Sequence, residues 1–182
     1  MKKYPNLLFL LACVMCQLSF SQQISIDNTY SATQLIQNNF GQGCVQVSNI
    51  SSQVNGQVNG FNSFGYFDGS GTNFPFQNGL VLSTGNANSG ANVLNNNVLG
   101  DGNTNWGTDT DLQNALGITG TLNATSIEFD FVSISNQIQF NYIFASEEYD
   151  PPFECNFTDS FVFLITEAGS GNPYTNIAVV PG

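Results

Sequence analysis

The sequence has no histidine, and its only basic side chains are Lys2 and Lys3, at the very start. Without imidazole, the chain holds no Ser-His-Asp or Cys-His nucleophile, no histidine metal ligand and no imidazole base. Without a basic surface, nucleic acid and anionic membranes are disfavoured as partners, because both require positive charge against phosphate. Charge of either sign is scarce: charged residues are 8% of the chain, against about a quarter in ordinary soluble domains. Cysteine is sparse as well. Cys13 and Cys16 lie in the N-terminal apolar run, and the remaining two, Cys44 and Cys155, cannot make a four-cysteine zinc site. The apolar run at 7–18 is itself too short to cross a membrane.

That run nevertheless has a purpose. MKKYPNLLFLLACVMCQLSFSQQ combines a positive end, a short apolar core and Ser19-Phe20-Ser21 ahead of Gln22, the pattern of a secretory signal peptide spanning 1–21. Leu10-Leu11-Ala12-Cys13 is a rival, loosely lipoprotein-like cleavage site. Removal of 1–21 takes both lysines and leaves a mature chain more negative than the formal −11 of the whole sequence. In an oxidising compartment Cys44 and Cys155 can pair. A disulfide closing so long a loop contributes about 4 kcal/mol in the chain-entropy model, and two buried thiols are the alternative.

What remains is rich in Asn, Gln, Ser, Thr and Gly, with 13% aromatic residues, a secreted β protein rather than a disordered one. Its length suits one domain over 22–182. Ser31-Ala-Thr-Gln34 reads as a capping box for a short helix near 32–39, with Gly41 able to stop it. Val45, Val47 and, less cleanly, Ile50 alternate with polar residues as in a strand. The stretch VNGFNSFGYFDGSGTNFPFQNG reads as a series of tight turns, and 79–85 (GLVLSTG) as a short buried strand. A long polar loop follows, with a helical turn near 110–116 that Asp109 caps and Gly117 ends. Alternation returns with Ile127, Phe129 and Phe131 against Glu128 and Asp130. It continues with Ile138, Phe140, Tyr142 and Phe144 on one face, whereas SFVFLIT and NIAVV are apolar throughout. Regular strands, turn residues and little helix predict an all-β fold, a β-sandwich or jelly roll with one or two short helices and long polar loops. Ending directly after an apolar strand, NIAVVPG predicts that the chain is the N-terminal part of a longer protein, with an anchoring or sorting module downstream.

Five carboxylates, Glu147, Glu148, Asp150, Glu154 and Asp159, crowd between two apolar runs in FNYIFASEEYDPPFECNFTDSFVF, with no basic residue to pair with. Crowding penalises ionisation unless water, backbone N–H groups or a cation stabilise the charges. Three readings stay open: a solvated and locally capped loop, a Ca²⁺ site drawing on about six to eight oxygens, or a carboxylate pair acting on a glycosidic bond. Asp101, Asp109 and Asp111 form a weaker candidate. Asp101-x-Asn-x-Asn opens like an EF-hand loop, but Trp106-Gly107 breaks the register and Leu112 replaces the bidentate Glu. Trp106, in a polar loop, either stacks on a sugar ring as a ligand-binding residue or folds back onto the domain edge.

In order, GCVQVSNI, GYFDGSGTNFPFQNGLVLSTG, DTDLQNALG, EFDFV, FNYIFASEEYDPPFECNFTDSFVFLIT and NIAVVPG resemble the choice-of-anchor L domain of secreted bacterial proteins, notably of Bacteroidetes. The resemblance spans 33–182, and FASEEY followed by Asp-x-Phe-x-Phe is its most distinctive element. It implies a surface location, with variable C-terminal anchoring or sorting modules such as those of type IX secretion, and it brings no catalytic residue. It also slightly favours pairing of Cys44 with Cys155, which fall in the GCV and ECN segments. The expectation is therefore a secreted, cell-surface, non-enzymatic binding or adhesion module, with Ca²⁺ as a candidate stabilising ion and an extracellular glycan or protein as ligand. A glycan-binding module using Trp106 and a carboxylate-based glycoside hydrolase are the alternatives.

Overall fold

A computed structural model describes residues 23–40, 45–89, 100, 103, 106–149 and 157–179. Helix α1, Ala32–Asn39, begins at the capping box. The Ser31 Oγ accepts the Gln34 N–H at 3.2 Å and the Gln34 Oε1 accepts the Ser31 N–H at 2.9 Å, so two otherwise orphaned donors are satisfied reciprocally. The helix ends at Phe40, whose N–H donates to the Ile36 carbonyl; the expected stop, Gly41, lies outside the described residues. Its inner stripe is Leu35 and Ile36, 0% and 2% exposed, each contributing about 1.5–3 kcal/mol by leaving water.

The described residues include seven strands, of the expected class: β1 (Ser25–Asp27), β2 (Val45–Ser51), β3 (Phe64–Asp68), β4 (Asn78–Leu82), β5 (Glu128–Ser133), β6 (Leu164–Ile165) and β7 (Thr175–Asn176). Among the described residues they form three antiparallel sheets, β1-β3-β4, β2-β5 and β6-β7. With α1 and the short α2 (Thr110–Leu116) the only α-helices among the described residues, the fold is all-β. Helix α1 packs on β2 and also touches β3 and β4.

The imperfect alternation in β2 has a local cause. Register against β5 slips between Ser48 and Ser51, where Asn49 adopts φ 51°, a left-handed conformation that asparagine tolerates better than branched residues. The Asn49 Nδ2 then donates to Asp130 Oδ2 at 2.6 Å across the pair. In β5 the alternation holds as expected, with Glu128 and Asp130 exposed and Phe129 and Phe131 half-buried.

Strand β3 lies inside the stretch expected to be turns. The turns are there: Asn55 caps a 3-10 turn at Gly56–Asn59, and Asp68 Oδ1 accepts the Ser70 N–H at 2.8 Å where the strand ends. Between them Phe64 to Phe67 form the middle strand of three, and a middle strand covered on both faces has no alternation to read. Its neighbour β4 is an outer strand of this sheet among the described residues, and the segment expected to be buried is only half-buried, with Leu82 exposed.

A polar chain ties these pieces together. Ser63 is fully buried, and its Oγ accepts the Gly56 N–H at 2.9 Å. The Thr125 Oγ1 lies 2.8 Å from Ser63 Oγ and 2.7 Å from the Ser83 carbonyl. A carbonyl can only accept, so the Thr125 proton goes to Ser83 and Ser63 donates to Thr125. The direction of donation then runs from the 3-10 turn through β3 and the lead-in to β5 to the end of β4.

Past Ser133 the regular structure thins. Residues 136–146, expected to be a strand, make no ladder hydrogen bonds among the described residues, and in SFVFLIT and NIAVV only β6 and β7 are ladder-bonded. The alternation still has a structural consequence, because Phe140 meets Phe163 at 4.5 Å and Tyr142 meets Phe161 at 5.3 Å between ring centroids. Those pairs run in opposite chain directions, so the two segments face each other antiparallel through side chains rather than through backbone.

Candidate functional site

The loop joining those two segments carries the acidic cluster. Asp150 and Glu154 lie outside the described residues, and Glu147 and Glu148 enter a 3-10 turn, Glu147–Tyr149. Ser146 sits at the neck of the loop. Its hydroxyl makes a short hydrogen bond to the Glu148 carboxylate and lies 3.3 Å from Asp159 Oδ2, while its oxygen accepts the Glu148 N–H at 3.3 Å. Carboxylates from the two ends of the loop therefore converge on one hydroxyl, which has a single proton to give.

That arrangement shifts the titration of Glu148. The Ser146 hydroxyl holds its carboxyl below the ordinary range; partial burial pushes back, and the Glu148 N–H and the Asp159 side chain add to the lowering. Glu148 and Asp159 thus share Ser146 as a hydrogen-bond partner. They are two of the five candidates, and among the described residues no group of three or more acidic or cysteine side chains is placed to hold a metal ion.

The second patch gains members that the sequence did not join to it. Asp109 caps α2, accepting the Leu112 N–H at 2.9 Å, and Gly117 ends the helix at φ 65°, where a side chain would be strained. Asp111 lies in the first turn, and Asp101 is outside the described residues. Partial burial, then the charges of Asp109 and Asp111, push the Glu128 carboxyl up. Burial followed by the field of Glu128, Asp111, Asp130 and Asp109 raises the Tyr174 hydroxyl. The charges carried by α2 thus act on the outward carboxyl of β5. Its signal in the sequence was only the outward face of a strand, and nothing local paired that face with residues 109 and 111.

Trp106 is no surface platform. It is 5% exposed, its Nε1 donates to the Ala124 carbonyl at 2.8 Å, and its ring lies 5.5 Å from that of Phe61. A Cβ on Gly56 would come within 3.0 Å of the indole and 2.8 Å of the Phe61 Cβ, so this glycine makes room for the packing. Of the two readings of Trp106, folding back is the one observed, and the sugar-stacking assignment is corrected by burial. Cys44 and Cys155 lie outside the described residues.

With this geometry in place, comparison with known proteins supplies the family. The family model described as Choice-of-anchor L domain matches residues 23–182. The chain belongs to the choice-of-anchor L domain family. No curated protein and no solved structure matches it. Choice-of-anchor L domains are extracellular, surface-associated modules, and this one is such a module. Among its described residues no helix is long and apolar enough to cross a membrane.

Proposed function

We propose that this choice-of-anchor L domain is an exported binding or adhesion module whose acidic loop holds Ca²⁺. In this reading the leader 1–21 directs export, a Cys44–Cys155 disulfide forms outside the cell, and the ligand is an extracellular glycan or protein. The observation that carries the cation assignment is the convergence of Glu148 and Asp159 on Ser146 in a chain with no basic residue past Lys3. A hard cation is the partner that relieves such crowding, with further oxygens drawn from the acid-rich loop. Both carboxylates reach the same Ser146 hydroxyl, an arrangement suited to shared ligation of one cation.

The test is thermal melting of the domain in millimolar Ca²⁺ and in EDTA. A ligand binding only the native state stabilises it by about 2.7 kcal/mol at a hundredfold excess over Kd. Ca²⁺ should raise Tm, and Glu148→Gln with Asp159→Asn should abolish the rise. An equal rise in wild type and double variant would remove this loop from the assignment.

A further inference from the structure

A cavity of about 260 Å³ opens between the end of α1 and the residues that follow β5. Four phenylalanines, Phe40, Phe129, Phe131 and Phe140, line its apolar part. Phe40 stands against Phe129 and Phe140, each at 5.5 Å between centroids, so the rings form a cluster. The rest of the lining is amides, hydroxyls, Val45 and Ile138, and no ionisable side chain is among the lining residues. In a chain of formal charge −11, that neutrality sets this cavity apart from both acidic patches.

The polar lining keeps hydrogen-bonding capacity beyond its internal bonds. Asn39 Nδ2 donates to the Leu35 carbonyl at 2.8 Å, which leaves the Asn39 Oδ1 as an acceptor. Gln139 Nε2 donates to Asn141 Oδ1 at 3.3 Å and retains a second N–H and its own Oε1. Ser133 Oγ accepts the Ser135 N–H at 3.1 Å and still has a proton to donate. Aromatic walls with neutral donors and acceptors at the same opening match a ligand with apolar C–H faces and several hydroxyls. The volume lies just below the roughly 300–1,000 Å³ of sites that enclose drug-sized ligands, which limits the occupant to about one ring.

We propose that the cavity between α1 and β5 is a binding site for one neutral sugar ring, held against the phenylalanine cluster and hydrogen-bonded by Asn39, Ser133 and Gln139. The proposal gives a ligand class to the binding-module reading but does not depend on the cation, since none of its residues belongs to the acidic loop.

The experiment is an NMR titration of the whole chain with glucose, galactose and N-acetylglucosamine, repeated in Ca²⁺ and in EDTA. Glucuronate serves as an anionic control and cyclohexanol as an apolar-ring control. At least one neutral sugar should give saturable shifts at the Gln139 side-chain amide in both conditions, with glucuronate and cyclohexanol weaker. Gln139→Ala, an exposed change, should weaken binding about three- to tenfold. Phe140→Leu should weaken it similarly while Phe140→Tyr restores it. Absence of a saturable shift with every neutral sugar, cyclohexanol binding as well as the sugars, or binding unchanged in Gln139→Ala would each overturn the proposal. Binding in EDTA with no Ca²⁺ effect on Tm leaves the pocket standing and removes the cation site; the reverse pattern removes the pocket alone.

Discussion

Phe64 and Phe67 in β3 are 3% and 9% exposed, whereas Phe144 and Tyr142 are 39% and 45% exposed. Both regions are rows of aromatic residues, and the difference lies in what surrounds them. Strand β3 has a ladder on each side and α1 nearby. Within 137–163 the described rings chiefly cover one another, with Phe140 also reaching Phe40. A pattern of apolar residues therefore specifies which side chains meet, and burial follows only where further elements close over them. The closed region carries stability, and the open one presents the acidic loop.

This contrast can be broken most directly at its strongest point. Leu35→Ala should cost about 2–5 kcal/mol in urea unfolding, the range for emptying a closed core site. Phe144→Ala should cost no more than about 1.5 kcal/mol, the scale of an aromatic pair. Equal losses would mean that the two regions are equally packed. Within the closed region, Ser63→Ala leaves the Gly56 N–H buried without its acceptor, and Trp106→Phe does the same to the Ala124 carbonyl. Each should lower stability by about 1–3 kcal/mol, read from the urea midpoint. In the open region, a double-mutant cycle on Tyr142 and Phe161 should return a coupling of about 0.5–1.5 kcal/mol. A coupling near zero would dissolve the side-chain pairing of the two segments.

The smallest effects concern pH, and they have opposite signs in the two acidic patches. Glu148 has a lowered folded pKa, so its contribution is present above the ordinary glutamate range and is lost as pH falls through the folded value. Glu128 has a raised folded pKa, so it favours folding when protonated, and that contribution is lost as pH rises through the folded value. Glu128→Gln should therefore raise Tm slightly at neutral pH, whereas Glu148→Gln should lower it and flatten the acid limb. Melting curves across the acidic range distinguish the two.

Local chemistry made much of this visible in the sequence. The Ser31–Gln34 box, the Asp109 cap and the Gly117 stop each depend on residues within a few positions, and all three form where the spacing places them. The strand β5 was readable because one face is open. Strand β3 was not, since a doubly covered strand loses alternation and its Asn-Gly and Asp-Gly neighbours dominate the reading. At the candidate sites, the crowding of five carboxylates was legible along the chain, but the convergence of Glu148 and Asp159 and the part played by Ser146 were not. The joining of Asp111 to Glu128 and the burial of Trp106 depend on long-range packing, which spacing along the chain does not encode.

Hydrogen exchange of the domain with and without millimolar Ca²⁺ bears most directly on the central claim, that a closed core carries an open acidic loop ordered by a cation. Protection should rise on Ca²⁺ addition across residues 144–161 and stay unchanged in β2, β3 and β5. Equal exchange at 144–161 in Ca²⁺ and EDTA, or a rise spread evenly over the whole chain, would contradict it.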